Sequence, residues 1–385
     1  MHYDYLIVGA GVFGATVAER LANAGARVLV IDRRLHLAGN AYSFTDKDTG
    51  IEVHRYGSHI FHTKVDEVWE YITRFAEFNN YVHAVDTRHN GVLYPMPINL
   101  DTINRLYNKN MSARDAKMFI ANVTRMDMDR LGIRRPSSFE EKGISLVGEK
   151  LYNAFLKNYT EKQWGKKATK LSPELLKRIP VRFSKDNRYF PDAKYQGIPK
   201  VGYARLIEKM LDSERISVRL GIDFRKLRND LCKDAKIVYC GQVDELLDYK
   251  YGVLPWRSLK FEIEKTSISL GQAVINEADL EIPYTRTHDY KYYQIHCPEI
   301  LYKPESIIMR EYPKGFKKGG DAYYPINNKE SNAMYEKYVS LARRMYPRLR
   351  LGGRLGSYRY WDMDQAIAAA LKLSKELEAG TLDFF

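Results

Sequence analysis

The sequence predicts an α/β protein in which a parallel sheet, a helical segment and a separate antiparallel sheet share one chain. Three observations predict it. The apolar run Tyr5-Leu6-Ile7-Val8 leads into Gly9, Gly11 and Gly14 and then into a helical pattern; residues 101–178 keep helical spacing; residues 257–312 alternate apolar and polar positions as half-buried strands do.

The opening run carries the most specific signal. Gly9 permits a tight turn, Gly11 lets backbone approach a pyrophosphate, and Gly14 lets helix and strand pack closely, with the helix N-terminus aimed at the phosphates. A second apolar strand ends in Asp32, at the spacing where a carboxylate binds a ribose hydroxyl. Together these predict a Rossmann-like dinucleotide-binding domain. A helix is expected over 66–78, with Val68, Trp69, Ile72 and Phe75 on one face. The prolines of Tyr94-Pro95-Met96-Pro97 exclude helix and mark an extended connection. Residues 101–178 then read as a small helical domain, with breaks expected at Gly132, Pro136 and Gly143.

Residues 216–220 and 236–241 are short β-rich runs that return the chain to the first domain. Ser258-Leu259-Lys260-Phe261-Glu262-Ile263-Glu264 opens the antiparallel sheet. The charged run 310–318 reads as a solvated loop, and helices are expected over 331–346 and 363–377. The division is residues 1–80, 200–256 and 350–385 for the dinucleotide domain, 99–180 for the helical domain, and 81–98, 181–199 and 257–349 for the antiparallel sheet domain.

A chain of 385 residues, 45% of them hydrophobic, can bury a sizeable core. No apolar run approaches the ~20 residues of a membrane span, and the first residues show no leader pattern, so no membrane insertion and a cytoplasmic location are expected. Cys232, Cys240 and Cys297 are odd in number and lack Cys-x-x-Cys spacing, which argues against a disulfide framework and a metal site and for reduced thiols. The net charge of +13 favours an anionic ligand. Nucleic acid is disfavoured, because acids are interleaved among basic residues from Arg20 to Lys375 and no recognition motif appears. With 29 tyrosines, the composition suits a phosphorylated small molecule held by arginine and aromatic faces.

After the second strand, Asp32-Arg33-Arg34 leads to Gly39-Asn40-Ala41-Tyr42, which is similar to the flavin-binding extension of amine-oxidase-like FAD proteins. Ala38 stands where that pattern has a second glycine. Further motifs are Tyr56-Gly57-Ser58-His59-Ile60-Phe61-His62-Thr63, Tyr159-Thr160-Glu161-Lys162-Gln163-Trp164-Gly165, Lys177-Arg178-Ile179-Pro180, Asp186-Asn187-Arg188-Tyr189-Phe190, Tyr284-Thr285-Arg286, Tyr323-Tyr324-Pro325 and the run from Gly353 through Tyr360 to Asp364. With these, the chain resembles the bacterial UDP-galactopyranose mutase family over nearly its whole length.

The resemblance implies interconversion of UDP-galactopyranose and UDP-galactofuranose without net redox change, with reduced FAD as covalent catalyst through N5. It implies that Arg178 and Arg286 stabilise the diphosphate, Arg178 from a loop that closes over substrate, and that Tyr189, Tyr324 and Tyr360 contact the phosphates, with Tyr323 as the rival of Tyr324. Phe155 and Tyr159 would sandwich the uracil, although four-residue spacing equally suits helix core. Thr160, Trp164 and Asn276 match substrate positions; alone, Trp164 reads as core.

FAD is assigned to Gly9, Gly11, Phe13, Gly14, Asp32, Arg33, Gly39, Asn40, His59, Ile60, Arg354, Asp362 and Met363. His62 is placed with the catalytic arginines near N5, while the His59 and His62 alternation also suits a strand with one polar face. Asp362 also suits the N-cap of the last helix. A homodimer is implied. The alternatives are an FAD oxidoreductase of the amine-oxidase-like class and a mutase acting on UDP-N-acetylgalactosamine.

Overall fold

Tyr5–Val8 and Val28–Asp32 are apolar on both faces, as strands covered from both sides must be, and they pair in parallel with Tyr5 opposite Val28 and Val8 opposite Ile31. In the computed structural model these strands centre a five-stranded parallel sheet, in the order Leu349–Leu351, Lys236–Tyr239, Tyr5–Val8, Val28–Asp32, Ile216–Leu220. The described residues are 2–178, 180–227 and 235–380, without the side chains of Lys177, Arg178 and Leu227. Helix Val12–Asn23 packs on the terminal helix Met363–Glu378. Leu6, Leu29, Ile31, Val243 and Leu254 are fully buried in one core, each side chain contributing roughly 1.5–3 kcal/mol by leaving water.

The chain divides into two compact units: residues 1–80, 193–258 and 316–385, and residues 81–192 and 259–315. The expected helical and sheet segments fall together in the second unit. Residues 193–199, 257–258 and 316–349, also expected with the sheet, fall in the first, the last of these because helix Lys329–Met345 buries Tyr338, Leu341 and Ala342 in the core just described.

In the second unit the sheet runs in the order Trp256–Thr266 (from residue 259), Ser306–Gly315, Arg286–Asp289, Val274–Glu277, Val85–His89, Val92–Met96. Arg286–Asp289 pairs antiparallel with Ser306–Gly315 and with Val274–Glu277, as does Val85–His89 with Val92–Met96, whereas Val274–Glu277 runs parallel to Val85–His89. Pro95 is tolerated because Val92–Met96 is an edge strand. The run read as a loop from 310 continues the strand Ser306–Gly315: Arg310 pairs with Glu264 at 2.7 Å, whereas Glu311 is buried.

The helical segment comprises Leu100–Tyr107, Ala113–Leu131, Phe139–Val147 and Asn158–Trp164, with a π-helical turn at Tyr152–Lys157. Gly132 ends its helix at φ +68°, as expected, but Gly143 lies inside one. A Cβ at Gly143 would stand 2.5 Å from the Tyr152 ring, so this glycine serves close packing and breaks nothing. The helix expected over 66–78 stops at Thr73.

Candidate functional site

The glycine turn is built by exclusion of side chains. A Cβ on Gly14 would lie 2.0 Å from the Gly9 carbonyl oxygen, so helix and turn approach as closely as backbone allows. Asp32 closes the turn from the next strand, Oδ2 accepting from the Ala10 N–H and Oδ1 from the Arg34 N–H, both at 2.8 Å. Gly39 comes against Gly11 from the other side, where a Cβ on it would stand 3.2 Å from the Gly11 Cα. Ala38, preceding it, takes a left-handed φ of +67° and donates its N–H to the Ala10 carbonyl at 2.9 Å.

These segments border a solvent-open cleft of about 1240 Å³. It is lined by Gly9, Gly11, Phe13, Gly14, Asp32, Arg33, Gly39, Asn40, His59, Arg354, Asp362 and Met363, so twelve of the thirteen residues assigned to the cofactor come together. Ile60 is buried beside them and does not line the cleft. The bare backbone facing Gly11, the helix N-terminus and the Asp32 carboxylate fit a dinucleotide with its pyrophosphate over the glycines.

Sequence reasoning missed the far wall. Arg33 pairs with Glu245 at 3.0 Å, Arg225 pairs with the same carboxylate at 3.0 Å, and Arg225 also holds Asp223 at 2.7 Å. Gln242 lines the cleft too, and the only forewarning was the glycine ending the strand before it. Cys240 lies in the same wall, its thiol pushed up to about 12 by burial and then by Asp32. Cys297 is in no disulfide, and Cys232 lies outside the described residues.

Asp362 is the N-cap of the terminal helix, its N–H donating to Gln365 Oε1 at 3.0 Å, and it lines the cleft as well. Arg354 is oriented by the Trp361 carbonyl, to which its Nε donates at 2.9 Å, and its guanidinium lies 5.4 Å from the Tyr360 ring centre. Tyr360 stacks on Tyr324 at 5.4 Å, whereas Tyr323 is buried. His62 lies on the strand Phe61–Thr63, with Nε2 3.9 Å from Asp362 Oδ2. His59 Nδ1 sits 2.7 Å from the Gly57 carbonyl oxygen.

In the second unit, Tyr159, Asn276 and Arg286 come together. Arg286 Nε donates to Asn276 Oδ1 at 3.3 Å, and its Nη1 lies 4.0 Å from Glu311 Oε2. Burial pushes the Tyr159 hydroxyl up to about 12 against the pull of the nearby Arg286 guanidinium, while Tyr189 and Glu311 add to the rise. The cluster offers a guanidinium, a phenol and an amide to one anion.

Phe155 does not share this position. It is buried in the helical core, edge-on to Tyr94 at 4.9 Å, because the π-helical turn widens the spiral and four-residue spacing no longer holds one face. Thr160 is buried, and Trp164 is half-buried against the same core. The Arg178 side chain lies outside the described residues; its backbone ends the 3-10 helix Pro173–Arg178.

A family model described as UDP-galactopyranose mutase matches residues 154–360, and one for an NAD(P)-binding Rossmann-like domain matches residues 7–75. A Klebsiella pneumoniae protein named "Probable UDP-galactopyranose mutase" is 40% identical over 97% of this chain and 94% of its own. A dTDP-fucopyranose mutase of Escherichia coli is 35% identical over 96% and 97%. The crystal structure of a reduced UDP-galactopyranose mutase superposes with a TM-score of 0.72 at 14% identity, covering 99% of this chain and 96% of that one, which speaks for the fold.

Proposed function

Because the chain belongs to the UDP-galactopyranose mutase family, we propose that it interconverts UDP-galactopyranose and UDP-galactofuranose and that the cleft over Gly9, Gly11 and Gly14 holds FAD. Bound FAD in its reduced form would supply the nucleophile, N5, for the anomeric carbon, and the ring contraction leaves no net redox change. Everything else falls to the side chains.

Departure of UDP from the sugar concentrates negative charge on the diphosphate. Arg286, already aimed by Asn276 and Tyr159, stabilises that charge, and Arg178 is its assigned partner. Tyr189, Tyr324 and Tyr360 are assigned as neutral donors to the phosphates, Tyr159 to the uracil face, and Thr160, Trp164 and Asn276 to the substrate. Asp32 holds the adenosine ribose through its remaining lone pairs, Arg354, Asp362 and Met363 hold the opposite end of the cofactor, and His59 and His62 border the reacting end. A homodimer in the cytoplasm completes the reading; among the described residues no helix is long and apolar enough to cross a membrane.

The observation that carries this reading is the Tyr159–Asn276–Arg286 cluster. It is tested by extracting the bound cofactor and titrating UDP into the holoprotein: FAD release with UDP binding that Arg286→Ala weakens supports it, and UDP binding indifferent to Arg286 contradicts it. The dTDP-fucopyranose relative makes dTDP the comparison ligand, since it differs in base and ribose while presenting the same diphosphate.

A further inference from the structure

Lys162 lies in the helix Asn158–Trp164, three residues after Tyr159. Its ammonium donates to the backbone carbonyls of Glu277 and Asp279, both at 2.8 Å, and Ile282 at 2.9 Å, with the Tyr284 carbonyl at 3.2 Å. Those carbonyls belong to the last residue of the strand Val274–Glu277 and to the turn joining it to Arg286–Asp289. Asn276 stands at one end of that turn and Arg286 at the other. We propose that Lys162 is the positioning residue of the nucleotide-diphosphate site, fastening the 277–284 turn to the Tyr159 helix so that Arg286 is held against Tyr159.

A charged ammonium has three hydrogens for four carbonyls, and such charge-assisted bonds are about twice as strong as neutral ones. A neutral amine has two hydrogens and a lone pair, so at least one more carbonyl loses its donor and the lone pair faces carbonyl oxygens. The turn is then held weakly on one side.

The surroundings make that loss reachable. Burial brings Lys162 down to about 8, against the raising pull of Glu277, Asp279 and Glu281. Two of those carboxylates are partly answered by other groups, Glu277 by Arg88 at 3.4 Å and Asp279 by His89 Nδ1 at 2.6 Å and the Asn90 N–H at 2.8 Å. If the nucleotide favours the protonated joint, affinity is fully present below the Lys162 pKa and is lost as pH rises through it. Tyr159, near 12, does not titrate in that window.

The inference rests on the reading that Tyr159 and Arg286 bind the nucleotide diphosphate. The experiment is a UDP titration of the FAD-loaded protein between about pH 7 and pH 9.5 for the unsubstituted chain, Lys162→Arg and Lys162→Met, with FAD content measured on each. The unsubstituted chain should lose affinity by roughly tenfold across the range. Lys162→Arg, which keeps its charge, should bind without that step, and Lys162→Met should bind weakly at every pH with FAD content unchanged. Should Lys162→Met not fold, the pH comparison with Lys162→Arg decides alone. Lys162→Met binding as tightly as the unsubstituted chain, or an undiminished pH step in Lys162→Arg, would overturn the role of Lys162 while leaving a defect in Arg286→Ala to support the site. Failure of the unsubstituted chain to bind UDP at any pH would overturn both.

Discussion

Arg286 Nε donates to Asn276 Oδ1 at 3.3 Å with the guanidinium beside the Tyr159 hydroxyl, so protein groups orient the cation assigned to the diphosphate. Such preorganisation makes the charge and its direction both count. Arg286→Ala should reduce kcat by roughly 10²–10³, the usual cost of losing a transition-state donor. Arg286→Lys should recover little of it, because an ammonium cannot keep both the Asn276 and Tyr159 contacts. FAD content should be unchanged in both, and steady-state kinetics with flavin quantification checks this; turnover retained in Arg286→Ala removes it from the catalytic set.

Tyr159 separates stacking from hydrogen bonding. Tyr159→Ala should weaken UDP binding by ~1–3 kcal/mol, the loss of an aromatic stack on a base. Tyr159→Phe should cost about 1 kcal/mol, the net worth of one hydrogen bond. Isothermal titration distinguishes them, and equal losses would mean that the ring does not face the uracil.

The parallel-sheet unit was legible because apolar strands and a glycine turn are local signals, and the observed strands Tyr5–Val8, Val28–Asp32, Ile216–Leu220 and Lys236–Tyr239 lie where they were expected. The second unit was less so. Gly143 looks like a helix break until the Tyr152 ring is seen against it, and 310–315 looks like a loop because its outward charges hide a strand whose Glu311 points inward. The Arg33–Glu245 pair joins residues 212 apart, and Lys162 reaches carbonyls 115 to 122 residues away, distances over which no sequence spacing operates.

Gly14→Ala tests the turn itself. With its Cβ 2.0 Å from the Gly9 carbonyl oxygen, the substitution must push helix and strand apart, costing ~1–3 kcal/mol as overpacking does. FAD content should fall with the melting temperature. A variant that keeps full FAD would show that the pyrophosphate lies elsewhere.

Ala38→Gly should act in the opposite sense. The left-handed φ costs an alanine ~1–2 kcal/mol. Glycine's greater freedom in the unfolded chain returns ~0.5–1 kcal/mol of that, leaving a small net gain. Urea unfolding of the holoprotein reads it, and a destabilised variant would mean that the Ala38 methyl packs usefully enough to outweigh its strain.

The most direct test of the central claim is chromatography of UDP-galactopyranose and UDP-galactofuranose after incubation with the purified protein, once with oxidised flavin and once after dithionite reduction. The two sugars should interconvert after reduction and not before. Interconversion at equal rates in both states, or none in either with FAD bound, would contradict a mutase that works through reduced flavin.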